Sequence, residues 1–571
     1  MDNPERSFFA ISLLWPDGPR PYTNLRQSRG AADLGLDALA AALSIDTRYS
    51  TGIRNLLAAL CDAPDVISYR HAILDDLLNC PALAAGLEAA LPMLVQLADA
   101  SDPQRPHQTF LHQAVSRLGE LELYVDCIRQ LRALFGSVEG QFHSAGLRQL
   151  HQMLVAREAD PAFQSLAAEL PALSEKMRNV RSISVGINLS PQLQPVAATL
   201  LSISSERYRG ASKSLLGKLL GTPAKDEADE YQGLAEIHSL PLTSSLPHGS
   251  LDGSGEYVNP MLVPLFRDLN DILQSVARPV VKALGRYIKL NGQFVIALEG
   301  EIAFYLGACR LIQRVRAAGL PLCRPEVLGM QARVCEVQNT YNLNFALRLM
   351  ERQPGADLSG QVVTNDVAFN DAGRIFILTG PNQGGKTTYT QAVGLIQVLC
   401  QAGLYVPGTH ARISPVDGIY THFPVEERPS LEAGRLGEEA KRLSDIFTQA
   451  TRHSLVLLNE SLSSTSPGEG LYLARDVLRA LKLLGARVIF ATHLHELAEG
   501  LETLNTAWPG DCKLVSLVAC AAPGDDAARR TYKIVPGPSM GQSYAKDIAS
   551  RFGISFEQLA RTLRERKAIE G

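Results

Sequence analysis

The sequence predicts a multi-domain chain. A long α-helical core carrying a small β-containing insertion is followed by an α/β domain built around a phosphate-binding loop (P-loop). Three observations predict this. Apolar residues recur at spacings of three and four through most of 24–180 and again through 261–318. Between those stretches the period drops to two, in Ser182-Ile183-Ser184-Val185-Gly186-Ile187-Asn188-Leu189. From Gly360 onward, short apolar runs alternate with helical patterns, and one run, Ile375 to Leu378, leads through Thr379 into Gly380-Pro381-Asn382-Gln383-Gly384-Gly385-Lys386-Thr387-Thr388.

Composition sets the bounds. A chain of 571 residues is long enough for several domains. Apolar and charged contents of 46% and 20% are those of a globular protein. A formal net charge of −4 excludes a globally basic surface, so any nucleic-acid contact must use local patches. No run of 18 apolar residues occurs, so no membrane span is expected. The N-terminus lacks the basic-then-apolar order of a signal peptide. Nine scattered cysteines without a Cys-x-x-Cys pair predict reduced, buried thiols in a cytoplasmic protein.

In chain order, 1–22 is an N-terminal segment and 23–355 the helical domain. Its apolar faces include Leu34, Leu39 and Leu43, then Ile73, Leu74 and Leu77, then Leu121, Tyr124, Ile128 and Leu131. Pro64, Pro81, Pro92, Pro103 and Pro106 are expected to divide the helices. The insertion is placed at 181–257: a strand from Ser182, a partner strand over Ala198 to Ile203, then a Gly-, Ser- and Asp-rich loop. The basic residues Arg207, Arg209, Lys213 and Lys218 read either as a solvated loop or as phosphate contacts. Helix resumes from Met261 to Ala318.

The α/β domain occupies 356–571. Gln361 to Thr364, Ile375 to Leu378, Ser454 to Leu458 and Val488 to Phe490 read as strands. Tyr389 to Gln401, Glu438 to Thr451 and Leu471 to Leu484 read as the helices between them. Alternation of this kind implies a parallel sheet with its ligand at the strands' C-terminal ends.

Those ends carry chemistry. Gly380 to Thr387 fits G-x-x-x-x-G-K-[ST], in which backbone N–H groups and a helix N-terminus cradle phosphate. Lys386 is placed to reach the β- and γ-phosphates of ATP, and the Thr387 hydroxyl to sit on Mg2+. The strand ending in Asn459-Glu460 supplies the second element such a site needs, with Glu460 to polarise water and Asn459 beside the metal's water shell. His493, after the next strand, is placed to sense the γ-phosphate, and His495 is a poorer candidate on the following turn.

At these residues the chain resembles the MutS family of DNA mismatch-repair ATPases. Thr379 to Tyr389 is close to that family's T-G-P-N-x-G-G-K-S-T-Y, with Pro381-Asn382 the most specific part. Val363-Thr364-Asn365-Asp366 looks like its adenine-side element. Gly403 to Pro407 resembles G-x-Y-V-P and Asp417 to Thr421 resembles D-x-I-F-T. Ser454 to Glu460 matches S-L-V-L-x-D-E apart from Asn459, and Ala491-Thr492-His493 with Glu496-Leu497 matches A-T-H-x-x-E-L. Weaker similarity to the family's helical core and lever runs from Leu25 to Met350.

The resemblance implies an ABC-class ATPase domain that binds ATP with Mg2+ through Gly380 to Thr388, with Asn365 and Asp366 near the base and Thr387 and Asn459 near the metal. It implies a homodimer with composite ATP sites, duplex or branched DNA as partner, and a repair protein as a further partner. Three departures stand out. The chain begins at the helical core and contains no Phe-x-Glu, the wedge by which the family senses mismatches. Gly434 falls where the family's signature loop carries Ser, and Asn459 replaces an Asp. Two functional classes stay open on these residues: an ATP-dependent DNA-binding protein of repair or recombination, and a nucleotide-gated switch that binds protein.

Overall fold

A computed structural model describes residues 11–16, 23–24, 30–101, 110–178, 182–189, 191–192, 195–204, 206, 282–284, 293–381, 383–424, 435–521, 530–538 and 552–566. Asn382, Gly434, the loop from 207 to 257 and most of 261–292 lie outside the described residues. The chain divides into two compact units. One comprises Met1–Leu91, Leu134–His151 and Ala297–Gly571, the other Pro92–Ala133 and Gln152–Ile296. This division does not coincide with the boundary at 355/356, because the first helices of the chain are built into the α/β part.

In the second unit, the Ser182–Leu189 strand pairs antiparallel with Pro195–Ser204. The partner strand starts three residues earlier than its apolar run, since Pro195 can stand at a strand end where no N–H is needed. Helical packing in this unit centres on Tyr124, whose ring meets Phe163 and Phe294 edge-on at 5.9 and 6.4 Å.

Prolines start helices here more than they stop them. Pro64, Pro81 and Pro161 each occupy a first helical position, where the missing N–H costs nothing. The expected break at Pro92 is corrected: it does not divide the helices. The helix Pro81–Ala100 runs through it, because Leu83, Leu87, Ala90, Leu94 and Leu97 form one buried face whose packing outweighs a lost backbone bond. Pro103 and Pro106 lie outside the described residues. This helix alone, among those described, is long and apolar enough to cross a membrane, by length and composition. Its buried leucines and a Glu88–Arg310 ion pair at 2.7 Å are those of a packed helix.

The first unit is organised by a six-stranded sheet. Its order is Ile419–His422, Leu455–Asn459, Arg487–Ala491, Ile375–Thr379, Leu514–Ala521, Arg530–Pro536. The first five strands are parallel and the last is antiparallel to its neighbour. The three central strands are buried at every position, which explains their continuous apolar runs. One expected strand is corrected. Gln361 to Thr364 is a turn, with the N–H groups of Gln361 and Val362 donating to Leu358 O, and the strand is Asn365–Phe369, which joins a separate four-stranded sheet. Val367 and Phe369 alternate inward there, whereas Val362 and Val363 serve a cleft wall.

The helix Lys386–Ala402 is held along its length by the N-terminal helices. Gly394 leaves room for Leu34, whose Cδ2 would lie 2.4 Å from an added Cβ. Gln391 donates to Asp33 O at 2.9 Å, and Gln401 to Cys61 O at 2.9 Å. At the helix's far end the buried Arg70 donates to Leu14 O and Gln401 O, and His71 Nε2 to Leu404 O at 3.1 Å. None of the nine cysteines forms a disulfide, and seven are buried.

Candidate active site

The strand Ile375–Thr379 delivers the chain into the phosphate loop. Gly380 takes φ 137°, and a Cβ there would lie 2.7 Å from the Ala519 Cβ, so the close pass against the neighbouring strand admits only glycine. Gly385 at φ 95° turns the backbone into the helix Lys386–Ala402. Gln383 also sits in the left-handed region, at φ 59°. A non-glycine residue held there costs on the order of 1 kcal/mol, a strain typical of ligand-gripping loops.

Lys386 is almost fully buried and folds back over the loop. Its Nζ donates to Gly380 O at 2.9 Å and Pro381 O at 3.2 Å. Burial pushes its ammonium down to about 8, and the negative charge of Glu460 pulls the other way. The cation is therefore poised over the loop, held by two neutral carbonyls that an anion could replace.

Opposite the loop stands the strand Leu455–Asn459. The Thr387 hydroxyl donates to Asn459 Oδ1 at 3.1 Å, although a whole strand, Arg487–Ala491, separates Leu455–Asn459 from the strand that leads into the loop. Glu460 follows at φ 52°, its N–H donating to Ala491 O at 2.8 Å. His493 Nε2 donates to Glu460 Oε1 at 2.9 Å. That bond, with Lys386 nearby, holds the Glu460 carboxyl below the usual range, so it is ionised at neutral pH. His495 starts a 3-10 turn, and burial lowers its pKa.

A cleft of about 410 Å³ opens between the loop and an aromatic wall. Gln383 to Thr388 and Glu460 line it, together with Tyr341, Phe345, Val362, Val363, Asn365 and Tyr532. Phe345 and Tyr532 are 36% and 45% exposed, so both aromatic side chains remain accessible at the cleft. Asn365 is spent on structure: its Nδ2 donates to Tyr532 O at 3.1 Å and its Oδ1 accepts from Ile534 N at 2.7 Å. Those bonds hold Tyr532 at the cleft, at φ 55°. Asp366 does not line the cleft; its Oδ1 accepts from Asn339 N at 2.8 Å, and its carbonyl from Tyr389 OH at 2.9 Å. Gly380, Pro381, Asn459 and His493 are not among the lining residues, and Asn382 lies outside the described residues.

Sequence reasoning missed the aromatic wall and Asn342. Asn342 caps the helix Leu343–Arg352 by accepting from Phe345 N at 2.9 Å, and its Nδ2 reaches Thr388 O at 3.0 Å. The cap pattern before an apolar helix was a readable signal for Asn342. Nothing local marked Phe345 or Tyr532.

The donor set fits a hard divalent cation. The Thr387 hydroxyl meets the Asn459 amide oxygen, and Glu460, next in the chain, adds a carboxylate to the cleft lining; all are oxygen donors. Among the described residues no group of three or more His, Cys, Asp or Glu could hold a metal by itself, so such an ion would take further ligands from a bound phosphate.

Residues 376–565 match the family model of MutS domain V, and residues 62–318 match that of the MutS2 N-terminal domain. Two parts of the chain, 62–318 and 376–565, are thus similar to MutS-type domains. The DNA mismatch repair protein MutS of Chlorobium limicola is 31% identical over 291 residues, covering 49% of this chain and 32% of that protein. That of Rhodopirellula baltica is 35% identical over 211 residues, 36% of this chain and 23% of its own. DNA mismatch repair protein MutS 2 of Halobacterium salinarum is 34% identical over 193 residues, 34% and 21% respectively. The chain thus spans a third or less of these MutS relatives' lengths. All the site residues described above from Ile377 onward fall inside the domain V match; Tyr341, Phe345, Val362, Val363 and Asn365 precede it.

Proposed function

We propose that this chain is a MutS-type ATPase that uses ATP binding and hydrolysis, with Mg2+, to switch conformation on DNA in repair or recombination. One observation carries the reading. Lys386, the Thr387–Asn459 pair and the Glu460–His493 pair converge at the C-terminal ends of parallel strands, beside an aromatic-walled cleft of nucleotide size. The relatives' names supply the DNA side. The homodimer with composite sites, the cytoplasmic location, a repair-protein partner and the lever role of the helical part belong to the same proposal.

The residues divide the work. Phe345 and Tyr532 hold the base by stacking. Backbone N–H groups of Gln383 to Thr388 hold the phosphates, and Lys386 exchanges its two carbonyl partners for phosphate oxygens. Mg2+, held by Thr387 and through water by Asn459, would neutralise phosphate charge. Ionised Glu460 orients the attacking water and accepts its proton as the water oxygen bonds to the γ-phosphorus and the bond to the ADP oxygen breaks. His493 holds the carboxylate in line and registers loss of the γ-phosphate.

A second reading, a nucleotide-gated switch that binds protein and turns over slowly, is favoured by neutral Asn459 and the absence of net positive charge. Gel-shift titration with duplex, mismatched and branched DNA, with and without ATP, separates the two. The DNA reading predicts binding that weakens steeply with salt and changes with nucleotide. No binding to any of the three at low salt would contradict it and leave the protein-binding switch.

A further inference from the structure

The residue after Glu460 is contacted by a histidine on another strand. His422 closes the strand Ile419–His422, in register with Leu458, and its Nδ1 lies 2.7 Å from the Ser461 hydroxyl. Both residues are 2% exposed. The same hydroxyl lies 3.4 Å from the carbonyl oxygen of His422.

These contacts set the proton directions. Nε2 of His422 is buried and has no hydrogen-bond partner among the described residues. A buried N–H left unmet is rarer in folded proteins than a lone pair left unmet, so the proton sits on Nδ1. Nδ1–H therefore donates to Ser461 Oγ, and the hydroxyl hydrogen turns to the His422 carbonyl. Burial, reinforced by the Arg442 guanidinium, pushes the imidazole down to about 4, so the ring is neutral at physiological pH.

Ser461 sits between two strained residues. Glu460 takes φ 52° and Leu462 φ 63°, both left-handed and neither glycine. Each costs on the order of 1 kcal/mol or more and persists only where the surroundings over-determine it. The Glu460 N–H bond to Ala491 O anchors the first of them to the strand on one side. The His422–Ser461 bond anchors the turn to the strand on the other.

We propose that His422 is a positioning residue, which through Ser461 holds the left-handed turn that aims the Glu460 carboxylate into the cleft. His493 touches the carboxylate itself, whereas His422 determines where the backbone places it. The inference rests on the ATP-hydrolysis reading.

The test uses the purified full chain with Ser461→Ala, His422→Phe and His422→Asn. Affinity is read with a fluorescent ATP analogue, kcat by phosphate release, and folding by thermal melting. An Asn amide can place an N–H near the Nδ1 position. Ser461→Ala and His422→Phe are expected to keep nucleotide affinity within about twofold while kcat falls roughly tenfold or more, as displaced catalytic groups do. His422→Asn is expected to recover most of kcat. If His422→Phe fails to fold, the smaller Ser461→Ala decides. Wild-type turnover with kcat unchanged in Ser461→Ala overturns this proposal alone, as does a parallel fall of kcat and affinity. A wild-type chain that releases no phosphate overturns the hydrolysis reading and this proposal with it.

Discussion

The Thr387 hydroxyl and the Asn459 amide oxygen meet at 3.1 Å across the mouth of the phosphate loop. Asn459 is 3% exposed, so its side chain cannot turn away to water. An amide oxygen there accepts from the hydroxyl as a carboxylate would, but brings no charge to a metal-bound water shell. Asn459→Asp keeps the acceptor and adds the charge. Turnover is expected to rise about tenfold, equivalent to about 1.4 kcal/mol of barrier, with little change in nucleotide affinity. Unchanged phosphate release in a folded Asn459→Asp protein would show that the neutral side chain does not limit the rate.

The aromatic wall predicts a division between two neighbours of the cleft. Phe345→Ala removes a stacking face and is expected to weaken nucleotide binding about tenfold, within the ~1–3 kcal/mol such stacking contributes per base. Asp366→Asn is expected to leave affinity within about twofold, because that carboxylate serves Asn339 and stays off the cleft. Equilibrium titration of both variants with a fluorescent nucleotide checks the pair, and equal losses in the two would refute the assigned geometry.

How far the site could be read in the sequence follows from how its parts are encoded. Lys386, Thr387, Glu460 and His493 sit in contiguous motifs at strand ends, where an apolar run followed by a polar residue is readable without a structure. Phe345, Tyr341 and Tyr532 each come as a single side chain from a different element, and only the fold gathers them. His422 and Ser461 meet because parallel strands lie side by side, a register that no local pattern carries. The turn at Gln361–Thr364 shows the opposite failure: two adjacent valines looked like a strand, but their role is to wall the cleft. Likewise Pro92 looked like a break until the leucine face around it was seen to be continuous.

The helical part carries an acid-sensitive residue. His71 is fully buried, donates from Nε2 to Leu404 O, and is pushed by burial down to about 4. The unfolded chain takes up the proton near pH 6.5, while the folded chain resists it until about 4. The stability this preserves is fully present above pH 6.5 and is lost as pH falls towards 4, by about 3 kcal/mol for a shift of this size. His422 adds a second loss of the same sign. Urea unfolding at pH 7, 6, 5 and 4.5 is expected to show this decline, with a clearly shallower slope in His71→Gln. An identical slope in the variant would remove His71 as a cause.

Hydrolysis depends on an ionised Glu460 carboxylate aimed into the cleft. The decisive measurement compares phosphate release and nucleotide retention in wild type, Glu460→Gln and Lys386→Ala, each purified as the full chain. ATP hydrolysis through Glu460 predicts steady phosphate release by wild type. It predicts bound but unhydrolysed ATP in Glu460→Gln, and loss of nucleotide binding in Lys386→Ala. Undiminished phosphate release by Glu460→Gln, or nucleotide binding that survives in Lys386→Ala, would contradict it.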